Sequence, residues 1–310
     1  MKMTKYNLLI TLLLVSVNLT KAQQDPGFTQ YLYNTLSINP GYAGTSESID
    51  LTLFSRNQWV GFDGAPVTRS FSVHGPIFSE NIGLGFSYVR DQIGPLDVDN
   101  LYLDYSYQIQ IYEGGFLSLG LKTGLDLRKN NLSKLAPLDP SDPNYQQDLV
   151  SKISPNFGAG LYYYTDNHFV GVSIPKIRNT NLNETNQDYF GQEKYIRHYF
   201  VIGGYIFQVH PDWKLKPSFF SKHVAGAPSS WDINGSVMYR ERVITGISHR
   251  FGDSMGAMVQ LQALQNLWLG YAYDFTTSGL RRHNRGTHEI MVLFNFYPGN
   301  REVIKSPRFF

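Results

Sequence analysis

About fourteen segments of roughly ten residues alternate apolar and polar side chains along this chain of 310 residues. Residues spaced by two lie on one face of a β-strand, so each segment predicts a strand with one apolar and one polar face. Long polar connections alternate with tight turns between the segments. This combination is typical of a transmembrane β-barrel. We therefore predict an all-β protein, a transmembrane antiparallel β-barrel of about fourteen strands.

The segment 116–127 shows the alternation most clearly. Leucines occupy one face, whereas Lys122, Asp126 and small residues occupy the other. The segments 101–111 and 231–240 repeat this pattern. We expect the apolar faces to contact lipid and the polar faces to line the lumen. The other predicted strands are 49–58, 67–75, 82–91, 156–164, 168–174, 197–209, 213–222, 243–251, 256–263, 267–275 and 288–297.

The N-terminus, residues 1–22, has the features of a secretory signal peptide. Lys2 and Lys5 precede an apolar run of about ten residues, and Ala22 ends an acceptable cleavage site, so the mature chain would start at Gln23. An uncleaved anchor is the alternative, but the run is too short to span a bilayer. No later stretch reaches the ~18 apolar residues of a transmembrane helix. The chain has no cysteine, so a large core or a membrane must stabilise it.

Connection lengths support the barrel independently of the strands. With both termini in the periplasm, the longer connections face outwards and the short turns face the periplasm. A soluble β-sandwich is the alternative, but its loops have no reason to alternate in length. The predicted outward connections are Trp59–Pro66, Gln92–Asn100, Arg128–Pro155, Pro175–Ile196, His223–Ser230, Gly252–Met255 and Thr276–Thr287.

Residues 23–48 precede the first strand and carry a partly helical apolar pattern that includes Phe28, Tyr31 and Leu36. The segment is too short for a domain, so we expect it to plug the lumen or to pack under the barrel on the periplasmic side. The predicted division is a signal peptide (1–22), a plug or periplasmic segment (23–48), the barrel (49–297) and a C-terminal tail (298–310).

Charged residues of both signs recur inside the predicted strands. Charges are costly near the lipid midplane, so we expect an internal ion-pair network that seals the lumen. A wide porin could hold the same residues. Arg69 and Arg90 fall on the face assigned to lipid, so either they lie at a rim or the assignment of faces is wrong at these positions. The remaining charges are Arg56, Asp91, Asp104, Lys122, Asp126, Asp232, Arg240, Arg250 and Asp274.

Paired glycines and tryptophans have structural interpretations. The pairs Gly83/Gly85 and Gly158/Gly160 each share one strand face, where they would let the strands coil and the barrel close. The alternative is that these small residues leave room for a plug. The tryptophans lie near predicted strand ends and are expected in interfacial girdles. They are Trp59, Trp213, Trp231 and Trp268.

The sequence offers little for catalysis. His74, His198, His249 and His288 lie in strands, but no Gly-x-Ser-x-Gly elbow, metal-ligand spacing or phosphate loop is present. We predict that the protein is not an enzyme and uses no cofactor or metal. A barrel enzyme would need a Ser–His pair within hydrogen-bond reach on the lipid-facing or rim side. The formal net charge of +2 gives no reason to expect a nucleic-acid partner.

Several motifs follow one another in order along the mature chain, among them residues 25–31, 39–44, 56–61 and 270–274. This ordered set resembles the PorP/SprF family of the type IX secretion system of Bacteroidetes. Gly41 stands where the family often has Ala. The candidate motif or interaction residues are Asp25, Pro26, Phe28, Gln30, Tyr31, Asn39, Pro40, Arg56, Gln58, Trp59, Gly61, Gly64, Pro66, Asp91, Asp274, His288 and Glu289.

The resemblance implies an integral protein of the cell outer membrane that exports or retains particular cargo proteins. Such cargo carries a C-terminal sorting domain and, in species with gliding motility, includes surface adhesins. The implied partners are outer-membrane lipid, this cargo and periplasmic components linked to peptidoglycan. A passive porin or small-molecule uptake channel is the alternative. A filled lumen would favour the secretion role, and an open lumen would favour the porin.

Overall fold

The computed structural model describes residues 27–77, 79–134, 149–177, 196–225 and 227–297. These residues form one antiparallel sheet in which strands consecutive along the chain pair, except that β8 and β9 both pair with β10, and β1 also pairs with β15. The strands are β1 (Ile49–Asn57), β2 (Val67–Pro76), β3 (Ile82–Ile93), β4 (Leu96–Tyr112), β5 (Gly115–Asn130), β6 (Leu149–Tyr164), β7 (His168–Ile174), β8 (His198–Tyr205), β9 (Phe207–His210), β10 (Trp213–Val224), β11 (Ser230–Tyr239), β12 (Val243–Arg250), β13 (Ser254–Leu264), β14 (Leu267–Thr276) and β15 (Thr287–Phe296).

The sheet closes into a barrel of fourteen strands, as the alternation predicts. Strands β8 and β9 both pair with β10 and are separated only by Ile206, so together they occupy one position in the barrel. Closure leaves the barrel without a free sheet edge between β1 and β15. No helix in the described ranges is long and apolar enough to cross a bilayer.

Each predicted strand is present, but one predicted outward connection, Gln92–Asn100, is wrong in length. Strand β3 continues to Ile93 and β4 starts at Leu96, so only Gly94 and Pro95 join them. Gly94 has a φ of 55°, which glycine adopts without steric cost. Its N–H donates to the Gly64 carbonyl at 2.9 Å. The tight turn therefore replaces the predicted loop.

The predicted division into lipid and lumen faces is confirmed. Leu103 and Leu121 are 59% and 62% exposed on the outward face, whereas Asp104 and Lys122 are each 2% exposed in the lumen. Arg90 lies on the outward face near the long-loop end, 3.7 Å from Asp97. Its position agrees with the expectation of a rim residue, because a neighbouring carboxylate and water offset its charge there.

Two other residues differ from their predicted positions. Trp268 faces the lumen and is 5% exposed, so it is not part of an interfacial girdle. Its ring packs in the core with Met291 and Leu293. Arg240 lies in the turn after β11 rather than in a strand, with a φ of 47°, and its Nε is 3.1 Å from Asp212 Oδ1. The alternating pattern runs on into the turn and therefore does not mark its start.

The described part of the N-terminal segment, residues 27–48, lies inside the barrel. It forms a 3₁₀ turn (Tyr31–Tyr33), a single helical turn α1 (Thr35–Ile38) and a second 3₁₀ turn (Pro40–Tyr42). Asn39 fixes the start of the last turn, because its side chain accepts a hydrogen bond from the Gly41 N–H at 2.9 Å. Two positions were predicted for this segment, in the lumen or under the barrel, and the structure shows it in the lumen.

Candidate functional site: a lumen occupied by the N-terminal segment

A buried charge cluster holds the start of the segment. Arg56 Nη1 lies 3.0 Å from Asp274 Oδ2 and also contacts the Glu289 carboxylate. Arg56 donates to Thr29 Oγ1 at 3.1 Å, and the N–H groups of Thr29 and Gln30 donate to Glu289 at 2.6 and 3.0 Å. We call these five residues the latch. One guanidinium and two backbone donors thereby satisfy both oxygens of Glu289 and the Oδ2 of Asp274, all of which are buried away from water.

Aromatic contacts continue from the latch into the lumen. The Phe28 ring centroid is 5.5 Å from that of Phe54 on β1, and Tyr31 stacks on Phe220 at 5.2 Å. The Tyr31 hydroxyl is 3.0 Å from Ser218 Oγ. These rings bury apolar surface inside a barrel whose lumen-facing positions are otherwise mostly polar.

A second ion pair lies under α1. Lys122 Nζ is 2.8 Å from Asp104 Oδ1 and donates to the Leu36 carbonyl at 3.1 Å. Both charged side chains are fully buried. The lysine therefore joins two strands, β4 and β5, to the middle of the segment. The expectation of an internal ion-pair network is confirmed by this pair, by the latch and by Arg250 on Asp232 at 2.7 Å.

Glycines on the barrel wall give the segment its space. A Cβ at Gly120 would lie 2.1 Å from the Gly41 nitrogen, and a Cβ at Gly83 would lie 2.1 Å from the Ala43 carbonyl oxygen. At Gly160 it would lie 2.1 Å from Asn39 Oδ1. Gly83 and Gly160 therefore leave room for the segment, as the second of the two interpretations predicts. Gly158 instead makes room for the Pro175 backbone, 2.3 Å from its ideal Cβ.

Strand side chains form the hydrogen bonds that water would otherwise form with the backbone of the segment. Ser106 donates to the Ala43 carbonyl and Gln108 to the Gly44 carbonyl, both at 2.6 Å. Asn39 donates from its own amide to the Leu161 carbonyl on β6 at 3.0 Å. Since buried carbonyls without partners are costly, these contacts fix the depth of the segment in the barrel.

Replacing Asn39 with alanine is expected to destabilise the barrel by about 1–2 kcal/mol, because it removes both the cap of the last turn and the bond to β6. Denaturant unfolding in phospholipid vesicles, followed by tryptophan fluorescence, measures the change. Asn57, exposed on the outward face of β1, provides the matched control. Equal stability of Asn39→Ala and Asn57→Ala would show that Asn39 does not anchor the segment.

The candidate motif residues fall into separate groups in the structure. The lumen contains Phe28, Gln30, Tyr31, Asn39, Pro40, Arg56, Asp91, Asp274 and Glu289. The connection after β1 contains Gln58, Trp59, Gly61, Gly64 and Pro66. His288 contacts the Tyr271 hydroxyl at 2.7 Å on the outer side, away from the latch. Asp25 and Pro26 lie outside the described residues.

Sequence reasoning did not single out Thr29 or Gly120 as contacts of the segment. The sequence did contain a sign of each: Thr29 lies inside the first motif, and Gly120 is a small residue on the lumen-facing side of β5. Asp91, by contrast, accepts a hydrogen bond from Thr68 at 2.6 Å and so joins β2 to β3.

One Ser–His pair meets the distance that a barrel hydrolase would need. His223 Nδ1 is 2.7 Å from Ser229 Oγ at the long-loop rim. Within the described residues, no carboxylate forms an ion pair with His223 that would orient the imidazole; its ring lies 6.4 Å from that of Tyr199 instead. His74 contacts Asp50 and the Gly44 N–H instead of a serine. Among the same residues, no cluster of three acidic or histidine side chains could hold a metal ion.

Solved structures that align with this chain are distant from it in sequence. The monoaromatic hydrocarbon channel CymD aligns with a TM-score of 0.53 at 10% identity, over 86% of this chain and 93% of CymD. The toluene transporter TbuX of Ralstonia pickettii aligns with a TM-score of 0.49 at 9% identity, over 83% and 92% of the two chains. At such identities the likeness to CymD supports the barrel fold alone. No curated protein matches the sequence.

A family model described as "Type IX secretion system membrane protein PorP/SprF" matches residues 20–294. The match covers the lumen segment and nearly all of the barrel. Together with the closed antiparallel barrel, it places the protein in the outer membrane. The chain belongs to the PorP/SprF family of type IX secretion system membrane proteins.

Proposed function

We propose that this protein is needed for the export or surface attachment of specific cargo proteins, such as gliding adhesins, and that it binds partner proteins rather than catalysing a reaction. The observation that supports this proposal most directly is that the N-terminal segment occupies the lumen. Buried contacts from the latch to Gln108 tie residues 29–44 to the strands around them. A channel for solutes needs an open lumen, whereas a protein that works through its rims does not.

The two ends of the barrel suit different partners. In this proposal the outward connections bind cargo with a C-terminal sorting domain, and the periplasmic turns contact components linked to peptidoglycan. Residues 1–22 would direct export and be removed, residues 23–48 would be the plug, residues 49–297 the barrel, and residues 298–310 a tail. The motif residues in the lumen then hold the plug, and those after β1 shape the outward rim.

Deleting the gene and quantifying proteins at the cell surface and in the medium tests this proposal. We expect one or a few proteins with a C-terminal sorting domain to leave the surface fraction, while other outer-membrane proteins keep their levels. Re-expression of the intact protein restores them and serves as the control. An unchanged surface proteome together with a growth defect on a particular solute would contradict the proposal.

A passive channel is the second candidate, because CymD, named a monoaromatic hydrocarbon channel, has the same fold. Planar-bilayer recordings distinguish the two. We expect no large steady conductance from the intact protein and an open pore after deletion of residues 27–45, since these residues occupy the lumen. A large steady pore from the intact protein would favour the channel.

A further inference from the structure

A group of basic side chains lies in the connection between β14 and β15. The 3₁₀ turn Gly279–His283 contains Arg281, Arg282 and His283, and Arg285 follows. All four side chains are exposed. Within the described ranges, none of them forms an ion pair. We call these four residues the basic loop.

The backbone of the basic loop is fixed by its own hydrogen bonds. The Asn284 side chain donates to the Leu280 carbonyl at 2.6 Å and accepts from the Gly286 N–H at 2.8 Å. It also accepts from Thr276 Oγ1 at 3.0 Å, and the Arg285 N–H donates to the Val60 carbonyl at 2.8 Å. The cations are therefore presented on an ordered backbone, which lowers the conformational entropy lost when a ligand binds.

The basic loop lies at the edge of the apolar, lipid-facing surface of the barrel. The Arg281 guanidinium carbon is 4.7 Å from the ring centroid of Phe275, which is 42% exposed on the outward face of β14. Leu280 in the same turn and Phe251 on the neighbouring connection are also exposed. Arg281, stacked on an exposed aromatic ring of the lipid-facing surface, therefore lies where that surface meets water, which is the depth expected for lipid headgroups.

We propose that the basic loop binds the phosphate groups of lipids in the outward-facing leaflet. A guanidinium donates two parallel hydrogen bonds to a phosphate, and Arg281 and Arg282 supply two such groups next to a surface for acyl chains. Anionic headgroups attract nearby arginines and lysines electrostatically. Bound lipid would fix the rotation and depth of this side of the barrel, beside the outward connections.

Titration of the purified barrel in nanodiscs with lipid A tests the proposal. The probe is used with its phosphates and after their removal, and native mass spectrometry counts the bound lipids. For Arg281→Gln/Arg282→Gln we expect the dissociation constant of the phosphorylated form to rise roughly twenty-five-fold, about fivefold for each arginine. The dephosphorylated form should bind the two proteins equally.

The matched control removes two exposed cations elsewhere, Lys129 at the outward end of β5 and Arg242 at a periplasmic turn. Lys129→Gln/Arg242→Gln should bind lipid A as the parent protein does, and an unchanged thermal midpoint verifies that each variant is folded. Equal loss of binding in both double variants would overturn the proposal. So would tight binding of free inorganic phosphate, which would indicate a soluble anion, or selective binding of an acidic peptide with no response to lipid.

Discussion

Replacing Arg56 with alanine is expected to lower the free energy of unfolding by about 3–5 kcal/mol, because removing one partner of a buried ion pair leaves the other uncompensated. Here two carboxylates, Asp274 and Glu289, lose their guanidinium while both remain buried. Their repulsion should release Thr29 and Gln30 from the barrel wall. Denaturant titration in vesicles measures the stability, and bilayer recordings detect any pore that the released segment opens.

Arg242→Ala is the control for this experiment, because Arg242 is exposed in the short turn between β11 and β12 and should change stability by less than about 0.5 kcal/mol. A second variant, Arg56→Ala with Glu289→Gln, removes one of the two stranded charges and should recover part of the loss. Superimposable unfolding curves for Arg56→Ala and the parent protein would show that the latch does not stabilise the folded barrel.

Gly120→Ala is expected to displace the segment with a single methyl group. Its Cβ would lie 2.1 Å from the Gly41 nitrogen and 2.3 Å from the Pro40 carbonyl carbon, and both atoms belong to backbone that cannot rotate away. Overpacking a filled interior costs about 1–3 kcal/mol, and a clash with backbone should lie at the upper end of that range. We expect lower stability and conductance that the parent protein lacks.

Gly235→Ala is the matched control, since Gly235 lies in β11 on the outward face and its ideal Cβ meets nothing within 4 Å. Alanine there should be neutral or stabilise the protein by up to about 1 kcal/mol, through a smaller entropy of the unfolded chain. If both glycine variants behave alike, the effect at Gly120 comes from the strand backbone and not from the segment.

Much of the fold was predictable from local sequence. The alternation of Leu119, Leu121 and Leu125 with Ser118, Lys122 and Asp126 predicts both the strand and its lipid face, because a period of two assigns faces without knowledge of neighbours. Strand ends were less predictable. The β3–β4 turn is short because Gly94 adopts a positive φ. The polar residues around Gly94 instead suggested a longer loop.

For the interior of the barrel, the sequence predicted the type of contact but not which residues form it. Buried charges of both signs implied ion pairs, but not that Arg56 would join Glu289, which is 233 residues away in sequence. Nor could glycine spacing decide between strand coiling and space for a plug. That choice depends on which atoms approach Gly120 and Gly160 from residues 39–43.

The sequence by itself determined the strands, their two faces and the closed barrel, since each follows from side-chain period and connection length. The tertiary structure alone decided that residues 27–48 lie in the lumen and which strands hold them. The physical reason is that the latch and the glycine contacts join residues far apart in the chain, and their positions exist only once the barrel has closed around the segment.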